Sequence, residues 1–120
     1  MWETLDKRKF PRLNIRCDIE IRELKGACQF STVTENIGAG GVCVILPKEL
    51  PRSTLVFVKL FVAERESPIE CSGKICWRVE SKVLFKDEKR FDTGIEFLDI
   101  LPEDRSFIRG LVDEKMKEKV

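Results

Sequence analysis

The chain has 120 residues, 42% of them hydrophobic, which is enough for one compact domain with one core. Its 22 lysines and arginines against 21 acidic residues leave a net charge of +1, so a protein that wraps nucleic acid along a whole basic face is excluded and any anion must be held by a local cluster of cations. Histidine and tyrosine are both absent, which removes histidine triads, general-base histidines and histidine metal ligands, and leaves an enzyme only carboxylates, lysine or cysteine to work with.

The first nine residues, Met-Trp-Glu-Thr-Leu-Asp-Lys-Arg-Lys, contain no apolar signal core, and no stretch approaches the ~20 apolar residues of a membrane helix. The expectation is a cytoplasmic protein with no membrane insertion. Lys7-Arg8-Lys9-Phe10-Pro11-Arg12 is the one dense basic run. Pro11 forbids a helix interior and pushes Phe10 towards an extended conformation. In an extended chain Arg8 and Arg12 point the same way, about 13 Å apart, and can grip two points of one anion. The arginine fork pairs with phosphate, with guanine O6 and N7, or stacks on a base. Taken alone, the run reads as a solvated basic tail.

Residues 13 to 22 alternate, with Leu13, Ile15, Cys17, Ile19 and Ile21 against Asn14, Arg16, Asp18, Glu20 and Arg22. A period of two predicts a strand with one buried face. Lys25-Gly26 turns the chain, and residues 28 to 36 read as a second strand. Asn36-Ile37-Gly38-Ala39-Gly40-Gly41 follows as a glycine-rich turn. Its glycines permit positive φ, a close ligand approach and an anion cradle of backbone N–H groups, and Asn36 adds an amide. Alone, it reads as an ordinary hairpin turn. Val42 to Leu46 restart a strand that Pro47 ends. Leu55 to Val62 is apolar on both sides with only Lys59 interrupting, which predicts a central strand covered on both faces. Residues 69 to 80 alternate again, with Cys71, Ile75, Trp77 and Val79 on one side. A charged connection spans 81 to 90, and Phe91, Thr93, Ile95 and Phe97 make a last strand.

Short strands with regular turns predict a closed barrel or sandwich. After Pro102 the period changes: Phe107, Ile108, Leu111, Val112 and Met116 recur at helical spacing. Pro102-Glu103-Asp104 is a helix start whose acids suit the positive dipole end. Cys43, Trp77 and Phe97 are read as core, and Met116 as helix packing. The five cysteines, odd in number and irregular in spacing, are read as reduced thiols acting as small apolar residues, with no metal among them.

The basic run and the glycine turn, in this order, resemble the PilZ domain family. Its signature is RxxxR ahead of the first barrel strand, then [D/N]xSxxG between later strands. Arg8-Lys9-Phe10-Pro11-Arg12 matches the first fully; Asn36 and Gly41 match the second, with Gly38 at the serine position. Gly73-Lys74-Ile75-Cys76-Trp77 is similar to the family's late strand ending in an aromatic, and Gly94 to Asp104 to its final strand and helix entry. The resemblance runs from about Lys7 to Val112. It implies a mainly β fold, a six-stranded antiparallel PilZ-type barrel with a C-terminal α-helix. It further implies a non-enzymatic receptor for cyclic di-GMP, with no cofactor, acting in motility or exopolysaccharide regulation. The implied ligand-binding residues are Arg8, Arg12, Asn36, Gly38 and Gly41, with Lys7 adding charge. The expected layout is a single domain, 1-120, with a mobile clamping segment at 1-12, the barrel at 13-100 and the helix at 102-118. The clamp is expected to order on ligand binding and to signal through a protein effector. Losing the serine hydroxyl removes one hydrogen bond, worth ~0.5–3 kcal/mol, or a few-fold to ~100-fold in affinity. The alternatives are a degenerate PilZ-like adaptor that does not bind the nucleotide and, further off, a small barrel for single-stranded nucleic acid, which lacks an evident row of exposed aromatics.

Overall fold

The computed structural model describes residues 12–82 and 89–118. Seven strands run β1 Arg12–Leu13, β2 Asp18–Glu23, β3 Gln29–Gly38, β4 Gly41–Leu46, β5 Leu55–Phe61, β6 Ile69–Lys82 and β7 Lys89–Phe97, followed by helix α1 Pro102–Glu118. β2 to β7 close into a six-stranded antiparallel barrel in the order β3-β2-β5-β6-β7-β4, with β4 returning to β3. The two-residue β1 adds to β3 on the side that β2 uses further along. Inward positions fill the interior with aliphatic side chains, among them Ile19, Ile37, Val44, Val58, Leu60 and Ile95, all at most 1% exposed. Closure lets alternate residues of every strand share one apolar interior.

The alternation over residues 13 to 22 holds in burial but not in the ladder. Leu13, Cys17, Ile19 and Ile21 are buried, yet the strand breaks between Leu13 and Asp18. Thr34, fully buried on β3, bridges the break. Its backbone N–H donates to Cys17 O, its hydroxyl accepts from Cys17 N at 2.9 Å, and the same hydroxyl donates to Ile15 O at 2.7 Å. One side chain thus satisfies two main-chain groups that a regular ladder would have paired. The second strand runs further than predicted, to Gly38, and leaves only Ala39-Gly40 as the turn.

Two other expectations are corrected. The outer face of β5 is not covered: Val56, Val58 and Leu60 point inwards, but Leu55 and Phe61 are exposed and Phe57 half-exposed. In β6 the register shifts between Ile75 and Trp77, so Cys76 is an extra residue. Such a bulge reverses the parity beyond it. Ile75 stays inside, while Trp77 and Val79 turn outwards at 37% and 57% exposure. Trp77 is therefore surface and not core; Phe97 is in the core as predicted, whereas Cys43 is buried but on the outer side of β4.

Helix α1 seats Ile108, Leu111 and Val112 in the common core and contacts β1 and β3. Met116, read as packing, is exposed. Asp104, in the acidic first turn, is buried and accepts a bond from Arg65 Nη1 at 2.7 Å. The Arg65 guanidinium also lies 5.1 Å from the centre of the Phe107 ring. Asp104→Ala leaves that guanidinium part-buried and unpaired. It is expected to cost about 2 kcal/mol, measured as a lower urea midpoint at unchanged slope.

Burial, reinforced by the Asp99 and Asp104 charges, pushes the Cys71 thiol from 9.0 up to about 12. The folded state therefore holds this proton more tightly than the unfolded chain. The resulting stability is complete below pH 9 and is lost as pH climbs from 9 towards 12. Cys71→Val is expected to flatten that alkaline decline, as read by urea unfolding at a series of pH values.

Candidate functional site

The closing of the barrel brings the end of β3, the start of β4 and β1 together. Arg12 pairs with Gly38 through the main chain, and Gly38 pairs on its other side with Gly41. Ile37 points inwards and is fully buried, so its neighbours Asn36 and Gly38 belong to the outer face. The turn Ala39-Gly40 is held down by the Phe97 N–H, which donates to Gly40 O at 2.9 Å.

The glycines are needed here for a different reason from the one the sequence suggested. No glycine among the described residues has a positive φ; only Ser53 does, at 73°. The turn therefore lacks the left-handed residue that a backbone anion cradle requires. Gly41 is glycine because β4 runs hard against β7: a Cβ there would collide with the backbone carbonyl oxygen of Ile95 and lie 3.2 Å from Glu96 Cα. Gly94 is glycine because the Trp77 indole lies where its Cβ would stand.

Two neighbouring rows of the outer wall follow from the register. One runs Arg12, Gly38, Gly41, Glu96, Lys74, and the other runs Asn36, Cys43, Gly94, Trp77. Three of these nine positions are glycine, and Cys43 is only 6% exposed. Gly38 and Gly41 thus leave one stretch of the wall as a shelf without side chains, while the Trp77 indole lies over Gly94. Half-buried Asn36 bounds the shelf on one side and the exposed Trp77 ring on the other. Lys74 and Glu96 border it with a loose ion pair at 3.9 Å. Chemically, such a shelf accepts a flat aromatic ligand and offers an indole to stack on.

Of the six site residues proposed from sequence, Asn36, Gly38 and Gly41 lie together on this shelf, and the backbone of Arg12 runs along its border. Lys7 and Arg8 lie outside the described residues. Trp77 and Gly94 were missed as site residues. Trp77 was assigned inwards because a count of alternate positions cannot register the extra Cys76. The mutual fit of Gly94 and the indole is visible only once β6 and β7 are paired. Among the described residues no group of three or more cysteine, aspartate or glutamate side chains could hold a metal ion. No helix among them is long and apolar enough to cross a membrane.

The family model described as PilZ domain matches residues 6–114. No curated protein matches the chain. Among solved structures, the Bacillus subtilis inhibitor of motility MotI/DgrA is similar at a TM-score of 0.76 and 17% identity, over 95% of this chain and 53% of that one. The K. pneumonia MrkH–c-di-GMP complex gives a TM-score of 0.73 and 17% identity, over 95% of this chain and 54% of that one. The PilZ domain of Escherichia coli YcgR, solved with c-di-GMP, gives a TM-score of 0.68 and 15% identity, over 95% of this chain and 97% of that one. The chain thus spans about half the length of the first two and nearly all of the third. At these identities the likeness is one of fold.

Proposed function

As the chain belongs to the PilZ domain family, we propose that it is a receptor for cyclic di-GMP that performs no catalysis and signals by contact with a partner protein. The observation that carries this reading is the Arg12–Gly38 pairing, which sets the end of the arginine segment beside the glycine shelf. Arg8 and Arg12 hold guanine and phosphate groups, with Lys7 adding positive charge. One guanine lies on the Gly38–Gly41 shelf, with Asn36 at its edge and Trp77 stacked beside it. Ligand binding orders the segment ahead of Arg12 against the rim and creates a new surface for the effector, in the cytoplasm. Several similar proteins of known structure were solved with c-di-GMP bound, which supports this ligand for the same fold. A calorimetric titration with cyclic di-GMP tests the reading: saturable heat is expected, and its absence at high protein concentration refutes the receptor.

Gly38 favours a second reading. The family's serine is missing there, and with it one hydroxyl contact. A ligand-free adaptor would give no heat with cyclic di-GMP, while Gly38→Ser would not restore any. A weakened receptor instead gains a few-fold to ~100-fold in affinity from that substitution, the worth of one hydrogen bond.

A further inference from the structure

Thr93 and Ile95 of β7 point into the barrel and are fully buried, so Gly94 between them belongs to the outer side, with Asp92 and Glu96. Asp92 is half-buried and Glu96 exposed, as outward residues of a barrel strand should be, yet Gly94 is buried. What covers it is the indole of Trp77. A Cβ on Gly94 would collide with Nε1 and Cε2 of that ring and lie 2.8 Å from Cδ1. All three atoms belong to the five-membered ring. This ring is therefore seated where Gly94 has no side chain.

The main chain beneath the indole is held from both sides. Ahead of the bulge, the Ser53 N–H donates to Ile75 O at 2.7 Å and the Ile75 N–H donates to Thr54 O at 3.0 Å. Both groups of Ile75 thus bond to the β4–β5 connection, on the side away from β7. Ser53 makes its bond from a left-handed backbone, φ 73°. A strained residue of this kind persists only where its surroundings over-determine it. At the bulge itself the Cys76 thiol donates to Gly94 O at 3.3 Å, tying the extra residue to the strand on which the indole rests. An indole free to rotate must be immobilised by its ligand, which weakens binding; a seated one is already ordered.

We propose that Gly94 is a positioning residue of the nucleotide site: by carrying no side chain it lets the Trp77 indole settle against β7 and meet cyclic di-GMP in one fixed orientation. This rests on the reading of Trp77 as the stacking partner of a guanine, and it adds the residue through which that stacking becomes effective. Gly94 itself touches no ligand, so its whole influence on affinity passes through the indole.

The test uses the full chain with Trp2→Phe, which leaves Trp77 as its one tryptophan, and titrates it with cyclic di-GMP. In this background Trp77→Ala is expected to weaken binding by ~10-fold or more, the worth of one base–aromatic stack. Gly94→Ala keeps the indole but denies it its seat. It is expected to weaken binding nearly as much, to shift the Trp77 emission to the red and to raise its quenching by acrylamide. The decisive variant combines Trp77→Ala with Gly94→Ala. With the indole gone the new methyl has room, so the pair is expected to bind within about twofold of Trp77→Ala alone and to melt no lower. Parent-like affinity or emission in Gly94→Ala overturns the proposal and leaves the receptor standing. So does a pair more than ~3-fold weaker than Trp77→Ala, because Gly94 would then act without the indole. If Trp77→Ala binds like the parent, the stacking reading falls and the proposal with it. A parent that gives no heat overturns the receptor and the proposal together.

Discussion

Arg12→Ala is expected to weaken cyclic di-GMP binding on the order of 100-fold, and Arg8→Ala to a similar degree. A guanidinium that pairs with phosphate or a guanine edge forms charge-assisted bonds worth about 1.5–3 kcal/mol each. Two of them, at ~1.4 kcal/mol per tenfold, exceed the single hydroxyl contact already absent at Gly38. Alanine keeps the main chain that pairs with Gly38, so thermal stability should stay within about 0.5 kcal/mol of the parent. Calorimetry on both variants decides: unchanged affinity in the two would end the receptor assignment. Loss of affinity together with a large drop in melting temperature would point to a folding defect instead.

Gly41→Ala is expected to be the most damaging single-methyl change in the barrel. The added Cβ meets the Ile95 carbonyl, which is main chain within β7 and cannot rotate away. β4 must then back off from β7 along a ladder of six paired residues that closes the barrel. Overpacking of this kind costs about 3 kcal/mol, or roughly 10–20 °C in melting temperature for a domain of this size. Gly110→Ala is the matching control. Its Cβ meets nothing within 4 Å, and in the middle of α1 it should stabilise the protein by about 1 kcal/mol.

The parts of this fold that were legible in the sequence are those where one physical signal acts alone. In β7, Phe91, Thr93, Ile95 and Phe97 alternate without interruption and all point inwards. In α1 the change of period, the acidic first turn and Pro102 agree. What stayed hidden depends on a partner strand. The Thr34 hydroxyl replaces ladder bonds at Ile15 and Cys17, and Thr34 lies 17 residues on from Cys17. The bulge at Cys76 exists only relative to β7, and it decides whether Trp77 is core or site. The apolar pattern of β5 is real, but a run apolar on both sides reads the same whether the second face is buried within the chain or held for something else. For the site, residue types and order were enough to nominate Asn36, Gly38 and Gly41. The reason Gly41 must be glycine, a neighbouring carbonyl and not a turn conformation, required the third dimension.

The two rungs that β1 shares with β3 also bear on affinity. Holding one residue's backbone in a single conformation costs about 1–2 kcal/mol, a charge that a wholly unfixed arginine would levy on every binding event. Arg12 has its main chain already fixed by the sheet, so a ligand gripping it gains from that preorganisation by on the order of tenfold.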